Sequence, residues 1–196
     1  MSLTRLRWVL PILLLFAVSA KADSVYVDGS YAFADHGYGI GPYGGTLNGQ
    51  SAQFYCVDFL HDITGNTGWN AIVTGLTNAT GYASTRLNNQ TTYLEIAYLI
   101  TQMIAAPTHT LQAEYQWAIW SFSGGGDPYG TNSALDQQAL NAVQNNGFTV
   151  SGWEILTPTG TYGQEFIVRA AEPGTLVLLC VGLLGMILVT RRKLLA

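Results

Sequence analysis

Between residues 23 and 171 the sequence contains no lysine, and its only cations there are Arg86 and Arg169. Eleven carboxylates stand against them: Asp23, Asp28, Asp35, Asp58, Asp62, Glu95, Glu114, Asp127, Asp136, Glu154 and Glu165. A domain so acidic repels a phosphate backbone, which excludes nucleic acid as a partner. Cysteine is equally scarce. The two present, Cys56 and Cys180, are too few for a disulfide framework. Asp28 and Asp127, beside glycine and proline, lack the ligand spacing of a calcium loop, so neither metal nor cofactor is expected. No internal repeat is present.

Charge is also missing from two apolar runs near the ends. Arg5 and Arg7 precede the first, residues 8–18, and Ala20 and Ala22 then form an A-x-A site. That is the anatomy of a cleavable signal peptide over residues 1–22, with Asp23 as the new N-terminus. The second run, residues 175–189, is followed at once by Arg191, Arg192 and Lys193. It is short beside the roughly 20 residues of a full span. The basic cluster predicts a C-terminal transmembrane helix with its cations in the cytoplasm and the domain outside. Glu172, Pro173 and Gly174, the apolar run and the Arg191-Arg192-Lys193 cluster, in that order, resemble a PEP-CTERM sorting signal. Ala171 stands where that signature has its first proline. The resemblance implies a bacterium that makes exopolysaccharide and an exosortase-type processing enzyme as partner. The sorting tail is then residues 172–196. The chain would be exported and membrane-anchored, or released to the cell surface or matrix.

Residues 23–171 are long enough for one domain with its own core. Residues 24–28 alternate as a strand does, residues 36–45 read as a loop from their Gly and Pro, and residues 53–60 read as a strand with Cys56 in its middle. A short strand is expected at 71–73. Helical spacing marks residues 91–105, 111–122 and 134–144, the first ended by Pro107 and the second by Gly124 to Gly126. Strands at 148–156 and 164–170 close the domain. Strands, then helices, then strands predict an α+β fold: a β-sandwich or barrel-like sheet core with an inserted helical subdomain.

An exported domain with one cysteine calls for an explanation, because thiols outside the cytoplasm usually pair. A second oddity lies on the predicted helix at 111–122. There Ala113, Gln116 and Trp120 share one face, so Gln116 points into apolar surroundings. A buried amide without partners costs about 1–3 kcal/mol. One reaction resolves both oddities. If Cys56 attacks the side-chain carbonyl of Gln116, ammonia leaves and a thioester remains. An outside nucleophile can then open it and become attached through Gln116.

The segments Tyr55-Cys56-Val57-Asp58 and Tyr115-Gln116-Trp117-Ala118-Ile119-Trp120 resemble the two signature motifs of bacterial surface thioester domains, also called TQXA domains. Tyr115 departs from the usual threonine before the glutamine. The resemblance spans residues 53–123. It implies that Cys56 and Gln116 are cross-linked, with Tyr55, Ala118 and Trp120 as supporting packing. It also implies covalent adhesion to a surface or matrix molecule bearing amines or hydroxyls. The domain would react once without turning over, and so would not be an enzyme. His61 and His109 are candidates for proton transfer when the thioester opens. The missing lysines fit a domain that avoids reacting with itself, and they fit equally a plain acidic exported surface. The alternative function is a non-covalent matrix protein that binds exopolysaccharide. Trp69, Trp117, Trp120 and Trp153 would be its aromatic platform, although such rings are more often packing.

Overall fold

A computed structural model describes residues 22–77 and 81–169. The first strand, β1 (Asp23–Val27), alternates as its sequence predicts, with Val25 and Val27 buried and Tyr26 exposed. A small hairpin follows, β2 (Phe33–Asp35) with β3 (Tyr38–Ile40). Then come β4 (Tyr43–Leu47) and β5 (Gln50–Cys56), joined by Asn48 and Gly49. Both linking residues have positive φ, 53° and 79°, as a two-residue hairpin turn requires. The nine-residue β6 (Thr67–Gly75) precedes the helices α1 (Gln90–Ala105), α2 (His109–Ser121) and α3 (Asn132–Gln144). Two strands, β7 (Trp153–Pro158) and β8 (Phe166–Arg169), return to the sheet.

Six strands close into an antiparallel barrel in the order β1-β4-β5-β8-β7-β6. Closure removes the sheet edges that would otherwise be free to pair with another chain. The α+β expectation thus resolves to a barrel, with the three helices inserted between β6 and β7. Asn89 and Thr108 cap α1 and α2 by accepting from the backbone N–H of Thr92 and Leu111.

Four expectations need correction. The stretch 36–45 is not a loop but carries β3 and the start of β4. His36 and Gly37, with φ of 49° and 85°, make the turn between β2 and β3, whereas Gly45 marks close approach: a Cβ there would lie 2.0 Å from the Tyr26 carbonyl oxygen. Cys56 is the last residue of β5, not its middle, because the ladder to β8 ends at the Cys56 and Phe166 pair. The strand expected at 71–73 runs the full length of β6, since pairing with both β1 and β7 overrides its polar composition. The strand expected from 148 begins only at Trp153. Among the described residues no helix is long and apolar enough to cross a membrane. The expected signal peptide and C-terminal helix lie outside the described residues.

The core has two compartments. Val25, Val27, Phe54, Cys56, Ala71, Leu156, Phe166 and Val168 form one that fills the barrel. The other lies between the barrel wall and the helices and contains Tyr55, Val57, Ile155 and Ile167 with much of α1. Alternation along β5 therefore sends Phe54 and Cys56 inward and Tyr55 and Val57 toward the helices. Helix α2 serves both compartments. Ala113, Trp117 and Trp120 join the barrel cluster, while Tyr115, Ala118 and Ile119 join the helical one.

Candidate functional site

At the seam between those compartments lies Gln116, with no accessible surface, against the end of β5. Its Nε2 donates to the backbone carbonyl of Cys56 at 2.9 Å. Its Oε1 is buried and has no hydrogen-bond partner among the described residues. Gly41 lies beside that oxygen: an added Cβ there would sit 3.5 Å from it. One half of the carboxamide is therefore anchored at Cys56, and the other half is left unsatisfied. A buried amide in that state carries a penalty of about 1–3 kcal/mol.

Cys56 is fully buried and is a free thiol among the described residues. Its Sγ donates to the carbonyl of Asp58 at 3.4 Å. Burial pushes the thiol up to about 12, and the charges of Asp62 and Glu165 add to the rise. The neighbouring Trp120 indole and the Arg86 cation act in the opposite direction. Trp120 packs in the same cluster as Cys56, and its Nε1 is buried without a hydrogen-bond partner among the described residues. Burial thus favours the neutral thiol over the thiolate.

Behind the thiol lies a buried ionic network that the sequence did not signal. Asp58 accepts from His61 Nδ1 at 2.8 Å, from the Glu165 backbone N–H at 3.3 Å, and pairs with the Arg86 guanidinium. The Glu165 carboxylate accepts from the Tyr93 hydroxyl, from Thr157 Oγ1 at 2.5 Å and from the Arg86 backbone N–H at 3.1 Å. Arg86 also donates to the Gly163 carbonyl at 2.7 Å. These bonds fix the backbone that leaves β5, and with it the carbonyl that receives the thiol proton. Only Asp58, as part of the Tyr-Cys-Val-Asp segment, could have been noticed beforehand. Glu165 and Tyr93 lie far away in sequence and carry no local mark.

The structure brings Cys56, Gln116 and Trp120 together. Tyr55 and Ala118 pack one layer away, in the helical compartment. His61 is 43% exposed and is held by Asp58. His109, at the start of α2, stacks on Phe33 with ring centres 4.3 Å apart, and no hydrogen bond engages it among the described residues. Glu172, Pro173, Gly174, Arg191 and Arg192 lie outside the described residues.

An aromatic lid covers the sulfur side. Tyr38, Phe59, Trp117 and Trp120 pack with ring centres 5.1–5.9 Å apart. Asp35 straps the β2–β3 hairpin onto this cluster by accepting from Trp117 Nε1 at 2.9 Å and the Tyr129 hydroxyl at 2.8 Å. The Tyr43 hydroxyl donates to the Gly39 carbonyl and ties β4 to the same hairpin.

No family model matches the sequence, and no curated protein matches it either. Among solved structures, the chain is similar to the N-terminal thioester domain of a surface protein from Clostridium perfringens. The identity is 11%, the TM-score 0.42, and the match covers 75% of this chain and 98% of that one. It is also similar to the N-terminal domain of the Streptococcus pyogenes pilus tip adhesin Cpa. There the identity is 14%, the TM-score 0.44, and the coverage 80% of this chain and 97% of that one. At these values the likeness carries nothing about the chemistry at Cys56.

Proposed function

We propose that this chain is an exported surface protein whose Cys56 and Gln116 form an internal thioester, through which it attaches covalently to a partner bearing an amine or hydroxyl. The observation that carries the reading is the Gln116 carboxamide: fully buried, anchored on Cys56 and unsatisfied at Oε1. In the closing step Sγ of Cys56 bonds to Cδ of Gln116, the C–N bond breaks, and ammonia departs with the thiol proton. In the opening step a nucleophile bonds to Cδ, the C–S bond breaks, and the sulfur recovers a proton.

Each chain reacts once, so the protein is a stoichiometric adhesin and not an enzyme. An exosortase-type enzyme acts on its tail, and a C-terminal helix holds it at the membrane facing outward. The partner is a surface or matrix molecule.

Intact mass of the full chain tests the central step. The chain should weigh one ammonia less than its sequence, allowing for any leader removed, and Cys56→Ala should restore the difference. Methylamine should add once, at Gln116. A full mass together with a titratable thiol would defeat the proposal and favour a non-covalent matrix protein.

A further inference from the structure

Trp117, Trp120 and Trp153 are buried, which removes them as a binding platform, whereas Tyr31 and Tyr38 are 50% and 40% exposed. Both tyrosines line a cavity of about 250 Å³ beside the β2–β3 hairpin, together with Tyr43, Phe59, Asp62 and Gln164. Their rings are held in place. A Cβ on Gly39 would lie 2.9 Å from the Tyr31 ring, so that ring rests against the hairpin backbone. Tyr38 packs on Phe59 with ring centres 5.2 Å apart. The polar groups of the lining are only partly used. Gln164 is 7% exposed and donates through Nε2 to the Asp58 carbonyl at 3.2 Å, but nothing donates to its Oε1 among the described residues. Asp62 is the one charged side chain in the described lining. Among the described residues it makes neither an ion pair nor a side-chain hydrogen bond. By contrast, Asp28, Asp35 and Asp58 are all engaged.

We propose that this cavity binds a neutral sugar unit of a glycan. A pyranose has a flat face of C–H groups and a rim of hydroxyls, and the cavity offers a counterpart to each. The rings of Tyr31 and Tyr38 take the C–H face. The Asp62 carboxylate and Gln164 Oε1 accept from the hydroxyls, and the charge on Asp62 strengthens its share of those bonds. Because the rings are already packed, little side-chain freedom is lost on binding. Other ligand classes fit less well. An apolar ligand would cut Asp62 and Gln164 off from water without replacing the lost bonds. A phosphate or an acidic sugar would meet Asp62 with no cation to offset it, since neither Arg86 nor Arg169 lines the cavity. A quaternary ammonium would pair with Asp62 and leave Gln164 Oε1 without a donor. Binding here is non-covalent and does not require the thioester.

The test is saturation-transfer NMR on the full chain with four probes: cellotetraose and maltotetraose, which are neutral, tetragalacturonate, which is acidic, and tetramethylammonium, which is cationic. At least one neutral tetrasaccharide should bind, with saturation strongest at its ring C–H protons, and the two charged probes should not. Tyr31→Ala and Asp62→Ala should each weaken that binding about three- to tenfold, the scale of one lost aromatic contact or hydrogen bond, with the melting temperature unchanged. Added salt should leave the binding as it is, because the ligand carries no charge. Failure of both neutral sugars to bind would overturn the inference. So would binding that survives both substitutions, or preference for the acidic or the cationic probe. These titrations read the cavity, and the ammonia deficit of the untreated chain reads the thioester, so either can fail without the other.

Discussion

Opening the proposed thioester should lower the stability of the domain by an amount that follows from chain topology. Cys56 and Gln116 are 60 residues apart. A covalent bond between them closes a loop of that length in the unfolded chain as well as in the folded one. The chain-entropy treatment of such a cross-link removes about 14 cal/mol/K from the unfolded ensemble, or about 4 kcal/mol at 25 °C. For a domain of this size that corresponds to a Tm difference of about 8–16 °C. The comparison is between the untreated chain and the same chain after complete reaction with methylamine. Both have the same sequence, and the reaction leaves the Cys56 thiol and a substituted amide at Gln116. Cys56→Ala is the control. It also lacks the cross-link and loses one buried sulfur, at a further cost of about 1 kcal/mol. It should therefore melt near or slightly below the methylamine product. Thermal unfolding followed by circular dichroism, with intact mass before and after, provides the assay. Equal melting temperatures for a chain with the ammonia deficit and its opened form would refute the reasoning, because a bond across 60 residues must leave an entropic mark.

Three further outcomes follow from the surroundings of the site. Arg86→Met should cost about 3–5 kcal/mol in urea unfolding, because Asp58 and Glu165 would remain buried without their cation; a loss below about 1 kcal/mol would mean that water already reaches the network. Tyr43→Phe removes the bond to Gly39 that ties β4 to the β2–β3 hairpin, so the hairpin should loosen and the ammonia deficit should disappear faster in neutral buffer than in the native chain; an unchanged rate would mean that the hairpin does not shield the site. Burial alone would raise Asp35, but hydrogen bonds from His36, Trp117 and Tyr129 outweigh it and hold the carboxyl below its usual range. Its contribution is therefore complete above the ordinary Asp value and is lost as pH falls through the lowered one. Trp117 fluorescence should report the hairpin loosening on acidification, and loosening on a rise in pH would contradict that sign.

The elements with the strongest local signals were legible in the sequence. Helix α1 was readable from apolar spacing and Pro107, and β1 from the alternation of Val25, Tyr26 and Val27. The burial of Gln116 on an apolar helix face was also legible, and the structure seats its amide against the Cys56 backbone carbonyl. What escaped depended on contacts far apart in the chain. Gly44 and Gly45 looked like loop residues because what leaves no room for a side chain there, Ser30 and Asp28 beside Gly44 and the Tyr26 backbone beside Gly45, lies elsewhere in the chain. The Glu165, Tyr93 and Arg86 network joins positions 72 and 79 residues apart, which no local pattern can announce.

The burial of the sulfur bears on both directions of the proposed chemistry. A thiol held near 12 is a reluctant nucleophile, so ring closure depends on the proximity that the Gln116 bond to Cys56 enforces. A thiolate disfavoured to that degree is equally a reluctant leaving group, which slows attack by stray water on a closed thioester. Once a favoured nucleophile has displaced it, the sulfur is reprotonated at once, and the neutral thiol has little capacity to reverse the step. The same desolvation that retards closure therefore makes the attachment persistent. Under the proposed function that asymmetry is what a single covalent attachment requires, because a readily reversed bond would release the partner.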